Sequence, residues 1–359
     1  MKAAIISLRS KSSEMSIEAM RNHFDEVDDL DIKNLEVNLG VKQLELLYEG
    51  EPIKDYDCVY AKGSFRYSPL LASTTSILSG KGVYLPIEAR SFTISHDKLL
   101  THIELQKHNI PMSKTYLSAT PEAAKKLLGR LNFPIVMKFP QGTQGKGVMI
   151  ADSFAGASSM LDALSALKQP FIIQEYIETG GVDIRAIVVG GKVVASMKRK
   201  ATGEEKRANI HAGGKGEPYE LDFNTKKIAI ETAKAVGADI CGVDILESVK
   251  GPLVIEVNIS PGLQGITAAT RINVADKIAK FLSEKANEMK EGVKEVGVKK
   301  ILTDLGVEKA GHGLITSLDF RGKRILLPDM ITDMTKFTTD HDYVIEAKEG
   351  ELKIKKFEM

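Results

Sequence analysis

Residues 242–262, GVDILESVKGPLVIEVNISPG, read as a two-stranded hairpin carrying Asp244, Glu256 and Asn258. Side chains two apart on a strand share a face, so Glu256 and Asn258 point one way while Ile255 and Val257 point into a core. With the turn centred near Val249 and Lys250, Asp244 lies almost opposite Glu256, with ~5 Å between the Cβ atoms. Two apposed carboxylates repel unless a proton or a cation sits between them. A set of two carboxylates and an amide oxygen suits Mg²⁺, which takes few carboxylates and leaves its other positions to water and phosphate oxygens. For any single Asp or Glu a solvated edge is the ordinary alternative. Here the three polar residues are interleaved with apolar ones and run straight into Ser260-Pro261-Gly262, which favours the cation.

Upstream, LNFPIVMKFPQGTQGKGVMIA at 131–151 gives a strand bearing Lys138, a glycine loop at 142–147 and a second strand. Val148 follows Gly147 where a Walker A loop has Lys-Ser or Lys-Thr, and a strand follows where a Walker A loop has a helix. The loop still suits phosphate. Gly142, Gly145 and Gly147 allow backbone N–H groups to approach an anion, and Lys138 and Lys146 flank them with positive charge. An ordinary hairpin turn is the competing reading for the loop alone.

Between these stretches, PFIIQEYIE at 170–178 reads as a strand that sets Glu175 beside Tyr176 and Ile177. DIRAIVVGGKVVASMKRK at 183–200 reads as a hairpin turning at Gly190-Gly191, which brings Asp183 and Arg185 near Lys198, Arg199 and Lys200. The polar, glycine-rich stretch that follows holds Arg207, Asn209 and His211. Such residues are usually solvated, and a lone His is usually structural; their position just before the acidic hairpin raises their interest. Helices are expected at 153–168, 224–236 and about 273–289.

The first ~90 residues alternate strand and helix, so an open parallel sheet is expected there. Ser7 to Ser13, after the first strand, contains no glycine, which argues against a dinucleotide-binding Rossmann site. Residues 95–111 read as a helix capped at Ser95 and stopped at Pro111. Beyond a Lys/Glu-rich stretch at 286–300, LITSLDF, RILLP, YVIEA and LKIKKF form a small β module without a chemical motif. In it, His312 and His341 read as surface residues. At 359 residues the chain should hold two to four domains of ~100–200 residues each. A net charge of +1, from 49 basic and 48 acidic side chains, offers no footprint for nucleic acid or an anionic membrane. Cys58 and Cys241 lack metal-ligand spacing and read as buried thiols. No run of ~18 apolar residues exists and the N-terminal apolar run is too short for a signal peptide, so a cytoplasmic protein is expected.

Taken together, VMKFPQGTQGKGV, QEYIETGGVDIRAIVVGGKVVASMKRKA, RANIHAGG and GVDILESVKGPLVIEVNISPGLQGI, in that order, resemble the ATP-grasp superfamily. Within it the chain is similar to the RimK-like α-L-glutamate ligases over roughly residues 1–285. The resemblance implies an α/β chain with an ATP-grasp fold, divided into an N-terminal domain at 1–93, a small lobe with a glycine flap at 94–178, a large lobe with the metal site at 179–288 and the β module at 298–359. It implies ATP phosphate contacts at Lys98 and Lys138, a flap at Gly142 to Gly147, an adenine hinge at Glu175, Tyr176 and Ile177, and Asp183 near the ribose. Arg207 and Asn209 would approach the γ-phosphate and the reacting carboxylate, with Arg185 and Arg199 holding substrate carboxylate or acyl phosphate. Asp244, Glu256 and Asn258 match the family's ligands for two magnesium or manganese ions. Ala212 follows His211 where the family member that modifies a ribosomal protein has arginine, and the β module is additional to that protein. The resemblance thus reaches the chemistry and not that substrate.

The reaction so implied is ATP-dependent amide formation through an acyl phosphate, adding glutamate or another amino acid to a carboxylate-bearing protein, peptide or cofactor acceptor. It needs positioning and charge neutralisation rather than a protein nucleophile. A kinase stopping at phosphoryl transfer and a non-catalytic ATP-binding module stay open. The expected partners are the amino acid, its acceptor and further copies of the chain, since a lone small sheet is marginally stable and invites pairing.

Overall fold

The computed structural model describes residues 1–41, 43–140, 147–200, 215–304, 319–321, 324–326, 335, 337–338 and 342–357. Residues Met1–Gly297 form one compact unit and Val298–Met359 a second.

The first unit opens on a three-stranded parallel sheet in the order β2-β1-β6, from β1 (Lys2–Ser7), β2 (Glu26–Asp31) and β6 (Cys58–Ala61). Five of the six residues of β1 are buried, the continuous apolar run that a parallel strand covered on both faces requires. Helix α1 (Lys11–Met20) connects β1 to β2, and the Ser10 side chain caps it by accepting from Ser13 N. Between β2 and β6 lies an antiparallel meander of β3 (Leu35–Gly40), β4 (Gln43–Tyr48) and β5 (Glu51–Pro52), which the parallel-sheet expectation did not contain. Helices α2 (Ser68–Ser79) and α3 (Ala89–His96) follow.

The helix expected at 95–111 is instead a separate α4 (Lys98–Lys107), and its cap is Asp97 rather than Ser95. Asp97 Oδ1 accepts from Leu99 N and Leu100 N at 2.9 and 3.1 Å, which a carboxylate at the positive end of a helix does better than a hydroxyl. The next sheet has the order β7-β10-β8-β9, from β7 (Thr115–Tyr116), β8 (Ile135–Lys138), β9 (Val148–Ala151) and β10 (Ile172–Glu175). Helices α5 (Pro121–Leu128) and α6 (Phe154–Ala166) pack on it. Strand β10 is shorter than the 170–178 read from sequence, so Tyr176 and Ile177 lie beyond its end.

A five-stranded antiparallel sheet, β13-β12-β11-β14-β15, completes the unit. It comprises β11 (Val182–Val189), β12 (Lys192–Lys200), β13 (Lys215–Pro218), β14 (Ile240–Ser248) and β15 (Gly251–Asn258). The turn from β11 to β12 falls on Gly190-Gly191, both at positive φ, and a Cβ on Gly190 would come within 2.3 Å of the Phe281 ring. Helix α7 (Phe223–Val236), the short α8 (Gln264–Thr270) and α9 (Val274–Asp304) surround this sheet.

The hydrophobic cores divide differently from a division into three bodies. The N-terminal parallel sheet and the five-stranded sheet share one continuous core, which includes Ile5, Tyr60, Phe92, Ile187, Val243 and Leu282. The four-stranded sheet has its own, built on Leu128, Met137, Leu161 and Ile173. A slab with a separate core can move against its neighbour without exposing either interior, so the groove between the two cores is where a ligand can be closed upon.

In the second unit, β16 (Asp319–Arg321) pairs with β17 (Arg324–Leu326), and β18 (Tyr343–Lys348) pairs with β19 (Glu351–Lys356). No helix among the described residues is long and apolar enough to cross a membrane.

Candidate active site

A cleft of about 540 Å³ runs between the four-stranded sheet, the five-stranded sheet and the ends of β1 and β6. Its wall from the small sheet is apolar at Val136, Val148 and Ile150, and Leu246 and Ile255 face it from the large one. Ile255 corrects the expected alternation. In the hairpin Asp244 pairs with Glu256 and Ile245 with Val254, so Ile255 is the extra residue of a β-bulge. Val254, not Ile255, joins Val257 in the core. The bulge turns Ile255 into the cleft while keeping Asp244 opposite Glu256, and the turn falls on Val249-Lys250, between Ser248 and Gly251.

Glu256 and Asn258 lie two apart along β15 and both line the cleft. Glu256 Oε1 lies 3.7 Å from Lys98 Nζ, at the first residue of α4, and Asn258 Oδ1 accepts from Ser260 N at 3.0 Å. Asp244 is 3% exposed and sits in a chain of ion pairs. Arg185 Nε and Nη2 donate to its two oxygens at 2.7 Å each, and Arg199 Nη2 is 3.0 Å from Oδ2. Arg199 in turn holds Asp183 by a second fork, both contacts at 2.6 Å. Burial opposes charge on Asp244, but the two guanidiniums outweigh it and hold its carboxyl well below the usual range. Burial raises the Asp183 carboxyl against the pull of Arg199, to about 6.

Arg185 and Arg199, expected to hold substrate carboxylate, are therefore engaged inside the protein, and Arg199 is only 4% exposed. A buried carboxylate left alone would protonate, so their contribution is to keep Asp244 ionised and aimed. Asp183 lines the cleft as well, but its two oxygens are committed to Arg199.

The residues fit a hard divalent cation. Asp244 on β14 and Glu256 on β15 lie in register, with the Asn258 amide two residues further along β15, which is a donor set of the kind such a cation takes. Asp244 and Asn258 would bind through lone pairs left over from their contacts with Arg185, Arg199 and Ser260 N. Among the described residues no group of three or more His, Cys, Asp or Glu side chains could hold a metal ion, so a cation here would rest on two carboxylates and an amide.

Lys138, the last residue of β8, enters from the other sheet and donates to Gln174 Oε1 at 2.5 Å. Gln174, in β10 and 2% exposed, also donates from Nε2 to Thr115 Oγ1 and lies 3.0 Å from His102 Nε2. His102 Nδ1 is 2.6 Å from the Lys98 carbonyl. The carbonyl can only accept, so Nδ1 carries the proton and Nε2 accepts from the Gln174 amide, which makes a neutral imidazole. Burial, aided by Lys138 and Lys98, pushes the His102 pKa down in agreement. The relay thus fixes Lys138 and the start of α4 against one another. Gln174 and His102 escaped the sequence reading; the available signal was one amide inside the otherwise apolar run FIIQ.

Glu175, Tyr176 and Ile177 line the cleft at the end of β10, and Glu175 N donates to the Lys114 carbonyl at 2.9 Å. Gly147 has φ of 78° and the Phe139 ring lies 2.2 Å from where its Cβ would be, so only glycine closes this end of the loop. Gly142, Gly145, Lys146, Arg207, Asn209, His211, Ala212, His312 and His341 lie outside the described residues. Cys58 and Cys241 are buried free thiols, as expected, and burial pushes both pKa values up.

Comparison with known proteins bears on this geometry. The model of the RimK-like ATP-grasp domain matches residues 95–282. A probable alpha-L-glutamate ligase of Vibrio cholerae is 37% identical over 290 residues, covering 80% of this chain and 96% of the relative. Its counterpart in Thioalkalivibrio sulfidiphilus is 35% identical over the same length and coverage. Among solved structures, the ATP-grasp ligase PsnB with a minimal precursor, Mg and ADP superposes with a TM-score of 0.62 at 17% identity, covering 80% of this chain and 98% of that one. The macrocyclase MdnC of Microcystis aeruginosa with its precursor peptide MdnA gives 0.59 at 16%, with 79% and 100% covered. The D-alanine–D-alanine ligase of Bacillus anthracis complexed with ATP gives 0.57 at 19%, with 81% and 99% covered. At these identities the solved structures share the ATP-grasp fold.

Proposed function

The chain belongs to the RimK-like ATP-grasp family, and from that premise we propose that it is an ATP-dependent ligase joining the amine of glutamate, or of another amino acid, to a carboxylate on a peptide, protein or cofactor acceptor. The observation that carries the reading is the convergence on one cleft of Lys138 and Lys98 with Asp244, Glu256 and Asn258, together with apolar Val136, Val148, Ile150 and Leu246. Support for a peptide acceptor comes from PsnB and MdnC, whose structures contain precursor peptides.

In this reading the slot bounded by Val136, Val148, Ile150 and Leu246 takes the adenine, next to Glu175, Tyr176 and Ile177. Lys138 and Lys98 bind phosphate oxygens, and the neutral His102 with Gln174 keeps the first of them in place. Asp244, Glu256 and Asn258 would hold Mg²⁺, which neutralises phosphate charge when bound. An oxygen of the acceptor carboxylate attacks the γ-phosphorus and the bond to the β-phosphate oxygen breaks, giving an acyl phosphate and ADP. The amino-acid amine then attacks the acyl carbon, phosphate leaves, and the amine proton passes to solvent. Holding the reactants in line and matching the spreading charge is the main work of such a site. Arg207 and Asn209 are proposed to contact the γ-phosphate and the reacting carboxylate.

Incubation with ATP, Mg²⁺, isotopically labelled glutamate and a host extract, followed by mass spectrometry, tests the proposal. The expected result is ADP with an amide product heavier by one glutamyl residue. A phosphorylated product without amide would make the protein a kinase, and bound ATP without ADP release would make it a binding module.

A further inference from the structure

Lys62 closes the end of the cleft that no nucleotide assignment uses. It directly follows β6, its backbone N–H continues the ladder to the Ile6 carbonyl at 2.9 Å, and it is 4% exposed. Its ammonium nonetheless has no hydrogen-bond partner among the described residues, only the face of the Tyr60 ring 5.4 Å away. Ser95 Oγ, on the same stretch of cleft wall, is also buried and unpartnered. A buried cation is stable only when something opposes it, and a ring face does so weakly. Burial pushes the Lys62 pKa down to about 8, so the side chain is still mostly charged at neutral pH.

The location says what should oppose it. Lys62, Gly63 and Ser64 stand at the carboxyl edge of the parallel sheet, where open α/β sheets take ligands. Gly63 N donates to Ser260 Oγ at 2.9 Å, which ties this edge to the residues directly after Asn258. The N-terminus of α1, with Ser10, Ser12 and Ser13, lines the same end and adds its positive dipole. Lys138 reaches the cleft from the four-stranded sheet and Lys98 from the start of α4, whereas Lys62 reaches it from the carboxyl end of β6, so the parallel sheet contributes a further positive charge to the lining.

We propose that Lys62, with Ser95 and the start of α1, forms a carboxylate subsite for the incoming free amino acid, so that its amine faces the acyl phosphate. The inference rests on the ligase reading above and names the anchor of its second substrate. A pole this buried admits a small solute rather than a folded acceptor.

Calorimetric titration of the full-length protein, saturated with Mg²⁺ and a non-hydrolysable ATP analogue, tests the subsite. L-Glutamate should bind the wild type, Lys62→Met should raise its Kd at least tenfold, and Lys62→Arg should stay within about threefold, with the analogue's Kd within twofold in all three proteins. 4-Aminobutyrate, which is glutamate without its α-carboxylate, should bind the wild type at least tenfold more weakly than glutamate does. That comparison decides the matter if Lys62→Met fails to fold. Equal glutamate affinity in wild type and a cooperatively melting Lys62→Met overturns the subsite, as does a parallel loss of analogue binding, which would assign Lys62 to phosphate. A wild type that binds the analogue but none of the twenty amino acids overturns the ligase reading itself, and the subsite with it.

Discussion

Both carboxylate oxygens of Asp244 are taken by Arg185, whose Nε and Nη2 each lie 2.7 Å away. The side chain that the hairpin offers most deeply to a cation is thus already neutralised from behind, while its neighbour Glu256 keeps its side chain 40% exposed toward the cleft. The two acids should therefore fail differently when removed. Glu256 is partly exposed and sits 3.7 Å from Lys98, so Glu256→Ala should lower the melting temperature only slightly, by withdrawing its charge from Lys98 and the buried Lys138. ADP formation should fall below a tenth of wild type, a loss above ~1.4 kcal/mol of transition-state stabilisation. Asp244→Ala strands Arg185 and leaves Arg199 with Asp183 alone, and breaking a buried pair of this kind costs about 3–5 kcal/mol of stability in addition to activity. Thermal melts and ADP assays on the two variants separate these outcomes, and an inert Glu256→Ala would remove it from the cation site.

Lys138 depends on Gln174 for its position. Lys138→Ala should weaken ATP-analogue binding at least tenfold, about 1.4 kcal/mol, and by more than Lys146→Ala does, because Lys146 falls in a glycine-rich stretch of sequence in which backbone N–H groups would duplicate its charge. Gln174→Met, which fills the same volume without an acceptor, should give an intermediate loss by leaving the ammonium without its 2.5 Å partner. Fluorescence titrations with the analogue give the ranking, and equal affinities for the Lys138 and Lys146 variants would contradict it.

The parts legible in the sequence were those that one strand or one hairpin encodes. The pairing of Asp244 with Glu256 and the turn at Val249-Lys250 follow from hairpin geometry, and both stand in the structure. The bulge that turns Ile255 outward could not be read, because an inserted residue changes register without changing composition. The Asp183–Arg199–Asp244–Arg185 chain spans three strands, so it becomes visible only once β11 lies between β12 and β14. Asp97 beat Ser95 as a cap by two positions, the usual uncertainty of a helix end. Nothing in the sequence singles out Lys62, whose burial follows from tertiary packing at the carboxyl edge of the parallel sheet.

Nucleotide affinity should also depend on pH through Lys138. Burial pushes its pKa down to about 8 in the protein without nucleotide, with Glu256 opposing and Lys98 reinforcing the shift. Phosphate binds the charged form, so affinity is fully present below about pH 8 and declines as the lysine loses its proton above it. Lys138→Arg, charged throughout, should give a flatter profile between pH 7 and 9.5 under otherwise identical conditions. Analogue titrations at intervals of half a pH unit provide the curve. A wild-type profile as flat as that of Lys138→Arg would show that Lys138 is not the titrating phosphate contact.

The second unit, Val298–Met359, is proposed to serve acceptor recognition or assembly rather than nucleotide chemistry. Lys98, Lys138, Asp244, Glu256 and Asn258 all belong to Met1–Gly297, which has its own cores. The described strands of the second unit are two separate two-stranded ribbons, and β18 and β19 bury none of their residues. Such ribbons are marginal alone, and exposed Ile345, Leu352 and Phe357 are the kind of side chains a partner covers. Truncation after Gly297 should therefore leave a protein that melts cooperatively and binds the ATP analogue within about twofold of wild type, ~0.4 kcal/mol. The change should appear elsewhere, in the KM for acceptor or in the mass measured by light scattering. A truncated protein that still melts cooperatively but no longer binds nucleotide would show that the second unit completes the active site.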